Sequence, residues 1–96
     1  MSRVLVAPGA AADLARLIAT HSLPPDTPSR VRRSIEPLAR FPLLGASLEG
    51  RWRDFRFVLG PWRWLLIVYA CDEEADLVAV VTIQDGRAST ATPSGR

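Results

Sequence analysis

Residues 52–87 read WRDFRFVLGPWRWLLIVYACDEEADLVAVVTIQDGR, and the fold follows from how this stretch is divided. From Trp52 to Leu59, Phe55, Phe57 and Leu59 alternate with Asp54, Arg56 and Val58, the two-residue period of a strand. Gly60-Pro61 marks a turn. Arg63 to Cys71 is apolar on both faces, as expected of a central, buried strand. Asp72 to Asp76 is a charged turn, Leu77 to Ile83 is again β-branched and apolar, and Asp85-Gly86 ends it. Three strands joined by short turns make an antiparallel meander.

Upstream, Arg3 to Ala7 (RVLVA) is a short apolar strand stopped by Pro8-Gly9. Ala10 to His21 turns helical, with Ala11, Leu14, Leu17 and Ile18 on one stripe and Asp13 expected in the first turn, where the helix dipole favours an acid. Pro24-Pro25 ends that helix. A second begins at Asp26 or Thr27, with Thr27 as cap and Pro28 at the first helical position. Val31, Ile35 and Leu38 form its apolar stripe, and Arg32 and Glu36 are spaced to pair on its outer face. Pro37 predicts a kink or an early end. The connection Ser22–Asp26 is short enough for an antiparallel helical hairpin. Residues 42–50 read as a loop with turn points at Gly45 and Gly50. The expected order is therefore β-α-α-β-β-β, an α+β domain over residues 1–87. The hairpin packs on one sheet face and the other face is left open. The Ser-, Thr-, Ala- and Pro-rich stretch 88–96 is expected to be a flexible tail.

Ninety-six residues, 48% of them apolar, suffice for one core. The single cysteine, Cys71, forms no internal disulfide and suits a reducing compartment. The opening apolar run is too short for a signal peptide, and no run approaches membrane-spanning length, so a cytoplasmic location without membrane contact is expected. CxxC, HExxH, GxGxxG and GKT elements are missing, which leaves metal, redox and nucleotide sites unsupported and no cofactor expected.

The chain has twelve arginines and no lysine. Residues 30–63 hold most of them against three acids, Glu36, Glu49 and Asp54, whereas residues 72–85 hold five acids and no base. Guanidinium groups on a sheet suit phosphate or carboxylate, so the expected anion-gripping set is Arg56, Arg63 and Arg87. Arg51 and Arg53 interleave with Trp52, Trp62 and Trp64; the tryptophans read either as a stacking platform for bases or as sheet packing. Tyr69 reads as a packed strand tyrosine or as a proton donor and acceptor. His21 reads as a helix-terminal histidine near the negative end of the dipole, away from the arginine face.

The ordered series of APGAAADL, LARFPLLGASLEG, WRDFRF, WLLIVYACDEEADLVAVV and TIQDGR resembles the RelE/ParE superfamily of toxins from bacterial type II toxin–antitoxin pairs, from about Val4 to Arg87. RelE-like members cut messenger RNA in the ribosomal A site. ParE-like members inhibit DNA gyrase without being nucleases. The resemblance implies a cognate antitoxin that wraps the toxin through an acidic C-terminal segment. For the RelE-like branch it implies that Arg56, Arg63 and Arg87 act on the scissile phosphate; the reading of the residues themselves adds Tyr69 as a candidate participant and Arg51, Arg53, Trp62 and Trp64 as candidate target contacts. Two departures stand out. Asp54 falls where that branch has a basic residue, and Ala88-Ser89-Thr90 follows Arg87 where it commonly has histidine or tyrosine. The Tyr69 spacing matches the ParE-like "IVY". An inactive homologue that only binds its antitoxin is the remaining alternative.

Overall fold

The computed structural model describes residues 1–87; the expected flexible tail and the residues following Arg87 lie outside that range. The elements are β1 (Arg3–Val6), α1 (Pro8–His21), α2 (Thr27–Ile35), a 3-10 turn (Glu36–Ala39), β2 (Ala46–Ser47), a second 3-10 turn (Gly50–Trp52), β3 (Arg56–Leu59), β4 (Leu65–Asp72) and β5 (Leu77–Asp85). They form one sheet in the order β1-β5-β4-β3-β2. β1 runs parallel to β5, and the other pairs are antiparallel. This is the expected α+β architecture, with one addition: two residues of the expected loop, Ala46 and Ser47, add a short edge strand against Phe57 and Arg56.

Pro8 opens α1, because the first helical position needs no amide hydrogen. Ser22 closes it in the left-handed conformation (φ 51°), and the Leu23 amide returns to the Ile18 carbonyl. Since the helix begins at Pro8 rather than Ala10, Asp13 is not in the first turn. Its carboxylate instead accepts the Thr82 hydroxyl (2.6 Å) and the Ile83 amide (3.2 Å). β1 pairs with β5 only as far as Val80, and Asp13 takes over an edge donor just beyond. Burial alone would raise this carboxyl; the bonds from Thr82, Ile83 and Arg16 outweigh it and hold it below its ordinary range.

Thr27 does not cap α2 through its side chain. It is fully buried, and its hydroxyl donates to the Pro24 carbonyl (2.6 Å), which secures the short inter-helix connection. Pro37 ends α2 as expected, converting its last turn to 3-10 geometry. Arg32 and Glu36 form no ion pair among the described residues; on this helix Arg30 pairs with Asp26 at 3.0 Å.

Both helices pack on the same sheet face. Ala10, Val31, Ile35 and Leu38 meet Leu65, Ile67 and Tyr69 of β4 and Val78, Val80 and Ile83 of β5. β5 carries an irregularity: Tyr69 pairs with Val80 but Val68 with Thr82, so Val81 is an extra residue. Such a bulge bends and twists its strand. Past it, the second half of β5 meets α1 through Asp13–Thr82 and His21–Asp85.

Candidate functional site

The expected open face lined with arginines is not what the chain builds. Cross-strand partners share a face. Arg56 pairs with Tyr69 and Val58 with Ile67, so Arg56 belongs to the face that carries the helices. The opposite face is apolar at its centre: Leu66 lies between Leu59 and Gln84, and Val68 between Phe57 and Thr82. Leu66 and Val68 are buried there. The cause is strand parity. In RDFRFVL the arginine has the same parity as Val58, which packs against the core, while the two phenylalanines turn to the other side.

Arg56 is occupied with backbone. Its Nη1 donates to the Gly45 carbonyl (2.7 Å) and to the Leu43 carbonyl (3.4 Å). The Gly45 amide donates to the Tyr69 hydroxyl (2.8 Å), and the Cys71 thiol donates to the Pro42 carbonyl (3.1 Å). Arg56, Tyr69 and Cys71 thus strap residues 42–45 onto the sheet. Gly45 is required at this contact, since a Cβ would run into the Phe57 carbonyl and come within 2.8 Å of the Tyr69 oxygen. Tyr69 has no exposed surface, and burial pushes its phenol above the ordinary range despite the Gly45 amide. Burial likewise raises the Cys71 thiol. Without exposed surface, Tyr69 is not placed to exchange protons with a substrate.

Arg51 and Arg53 are exposed around the second 3-10 turn, before β3 starts, whereas Trp62 and Trp64 lie after β3 ends. The sequence interleaves them, but the strand separates them. Trp52 packs on Phe55 (5.4 Å between ring centroids). Arg63 is exposed in the β3–β4 turn.

At this second end a cluster forms that the sequence did not announce. Trp62 and Trp64 stack at 5.8 Å and 13°. The Arg30 guanidinium lies 5.9 Å from the Trp62 ring centre, and that of Arg87 lies 4.7 Å from the Trp64 ring centre. His21 stacks on Trp64 at 5.0 Å and 14°. The Asp85 carboxylate ties these groups together. It accepts Arg87 Nε (3.0 Å), Arg87 Nη2 (3.1 Å) and the Arg87 amide (2.9 Å), and lies 3.1 Å from His21 Nε2. Chiefly through the Arg87 hydrogen bonds, against some opposition from burial, Asp85 is held far below the usual carboxylate range. The same bonds raise Arg87. His21, read from sequence as remote, sits here because α1 runs along the end of β5; the two residues are 64 positions apart, beyond any local signal. Among the described residues, no group of three or more His, Cys, Asp or Glu side chains could hold a metal ion, and no helix is long and apolar enough to cross a membrane.

The arrangement presents an exposed guanidinium on a weakly hydrated aromatic base, beside an imidazole fixed by a carboxylate. Such a guanidinium can exchange its carboxylate for a phosphate. A carboxylate-held imidazole can carry a proton.

No family model matches the sequence, and no curated protein matches it. Solved structures do. A chain of the toxin–antitoxin complex RelBE2 from Mycobacterium tuberculosis superposes with a TM-score of 0.65 at 22% identity, over 88% of this chain and 90% of that one. A chain of the chromosomal ParDE system from P. aeruginosa gives 0.69 at 13% identity, over 88% and 96%. A chain of the archaeal RelE–RelB complex from Pyrococcus horikoshii gives 0.52 at 20% identity, over 91% and 98%. The protein shares its fold with these chains over 88–91% of its length.

Proposed function

We propose that this protein is the toxin of a type II toxin–antitoxin pair and inhibits growth by cutting messenger RNA on the ribosome. The shared fold supports a toxin. The observation that carries the nuclease reading is the cluster at the end of β5, where Arg87 and His21 hold the same carboxylate beside the Trp62–Trp64 stack. In this reading Arg87 binds the scissile phosphate, and Arg63, exposed one residue before Trp64, adds positive charge. Donors aimed at the developing phosphorane charge are each worth about 2.7–4 kcal/mol of barrier. Arg56 contributes by holding the 42–45 segment. Arg51 and Arg53, exposed at the far end of β3, are suited to the RNA backbone or the ribosome.

The partner is an antitoxin with an acidic, amphipathic segment. A groove of about 640 Å³ opens between α1 and α2 over β1, lined by Val4, Val6, Leu14, Ile18, Val31 and Ile35, with Arg32 and Glu36 at its rim. β1 is an edge strand, and α2 carries Arg30, Arg32 and Arg33 in one run. An apolar stripe fits the groove, and its acidic flanks fit the arginines. Adding the antitoxin is expected to raise the melting temperature; an unchanged melting curve contradicts the pairing.

A second reading, a non-catalytic gyrase inhibitor, draws on one observation: Arg56 and Arg87 both already have internal partners. Induction in cells, with transcript ends and plasmid supercoiling mapped side by side, separates the readings. Codon-phased transcript ends support the nuclease. Lost supercoiling with DNA breaks supports the gyrase inhibitor. Normal growth with neither leaves an inactive, antitoxin-binding homologue.

A further inference from the structure

We propose that His21 is the general base of the cleavage, a role that rests on the ribonuclease reading above. An arginine-only site lacks a proton acceptor, because guanidinium stays protonated. His21 is the sole histidine of the chain. Its Nε2 lies 3.1 Å from Asp85 Oδ2. An ionised carboxylate only accepts, so in the neutral ring Nε2 carries the hydrogen and Nδ1 keeps the lone pair. Asp85 thereby fixes the tautomer and the ring, as the acid of a catalytic triad does.

Nδ1 points to a hydroxyl. Thr20 Oγ1 is 2.9 Å away, on an exposed residue. The same oxygen lies 2.9 Å from the Arg16 carbonyl. Thr20 can therefore leave Nδ1 and keep a hydrogen-bond partner, which opens the position to a hydroxyl from a ligand. The His21 side chain is 28% exposed, enough for a ribose to reach it. Stacking on Trp64 holds the ring, and Arg87 lies on the same indole and the same carboxylate. The proton acceptor and the phosphate-binding group thus lie side by side on one indole, and His21 keeps Asp85 when Arg87 turns to the phosphate. The charged groups around the imidazole are Asp85 and Arg87 from the end of β5 and, beyond Trp62, Arg30 of α2.

The step balances without a cofactor. The ribose 2′-oxygen gives its proton to His21 Nδ1 and bonds to phosphorus. The bond from phosphorus to the 5′-oxygen breaks, and that oxygen takes a proton from water. The hydroxide so formed recovers the proton from the imidazolium. The products are a 2′,3′-cyclic phosphate and a 5′-hydroxyl.

Single-turnover cleavage of a defined messenger on programmed bacterial ribosomes tests the role, with the purified wild type, His21→Gln and His21→Ala compared. The expected loss in His21→Gln is roughly 100- to 10,000-fold, with the acidic limb of the wild-type pH–rate profile flattened and the melting curve retained. Added imidazole restores part of the rate in His21→Ala. A wild type that cleaves and a His21→Gln variant within twofold of it, with the same pH profile, overturn the role of His21 and leave the nuclease reading standing. A wild type that cuts no ribosome-bound messenger overturns both.

Discussion

The two ends of strand β3 use arginine in opposite ways. At its start, Arg56 donates to two neutral carbonyls of the 42–45 segment, in a row with the buried Tyr69 and with Cys71. Past its end, Arg87 grips a carboxylate that it shares with His21, and its side chain is 61% exposed. Backbone carbonyls cannot be traded for a ligand without unstrapping the loop. A pairing whose guanidinium stays exposed can be traded for a phosphate, since the arginine need only turn its donors from one anion to another. The lesson is that a basic residue's partner, more than its presence on a strand, decides whether it serves the fold or the target.

The comparison breaks most readily at Arg87. Arg87→Ala is expected to reduce cleavage of ribosome-bound messenger by roughly 100- to 1,000-fold, with the melting temperature nearly unchanged. At the other end the effects fall on stability. Gly45→Ala forces a Cβ against the Phe57 carbonyl and the Tyr69 hydroxyl and should cost about 1–3 kcal/mol, several degrees of melting temperature in a domain of this size. Tyr69→Phe removes the acceptor of the buried Gly45 amide and should cost about 1–2 kcal/mol. Arg56→Ala should lower stability by about 1 kcal/mol while each folded molecule cleaves as before; a loss as large as that of Arg87→Ala would erase the distinction between the two ends.

The smallest effect is in pH. Asp85 and Asp13 are both depressed in the folded state. A depressed carboxylate stabilises the fold above its unfolded pKa, roughly 3.9, and that contribution is lost as pH falls toward the folded value. Melting temperature should therefore drop on acidification below about pH 4, and less steeply in Asp85→Asn. Equal slopes for the two proteins would mean that the Asp85 bonds seen here do not persist in solution.

Much of the fold is legible in the chain. Alternation over Trp52–Leu59, the apolar run Arg63–Cys71 and the proline and glycine stops give the helices and the four longer strands, although β3 starts only at Arg56 and β4 at Leu65, and Pro37 announces the early end of α2. What escapes is non-local. A two-residue ladder at Ala46–Ser47 carries no periodicity, and no glycine marks the bulge at Val81. Val58 could have warned that Arg56 faces the core side. The faces of β3 are chosen by its pairing with β4, and aromatic content points the wrong way. The candidate site is the least legible part. Arg63, Arg87, Trp62 and Trp64 are visible as residue types, but His21 joins them only because α1 lies along the end of β5.

The proposed working surface lies where Arg87, Asp85 and His21 meet. Mapping transcript ends in cells that express the wild type, Arg87→Ala or Arg56→Ala at equal levels tests it most directly. Codon-phased ends that vanish with Arg87→Ala and persist with Arg56→Ala are the result it predicts. Ends that persist with Arg87→Ala and vanish with Arg56→Ala would contradict it.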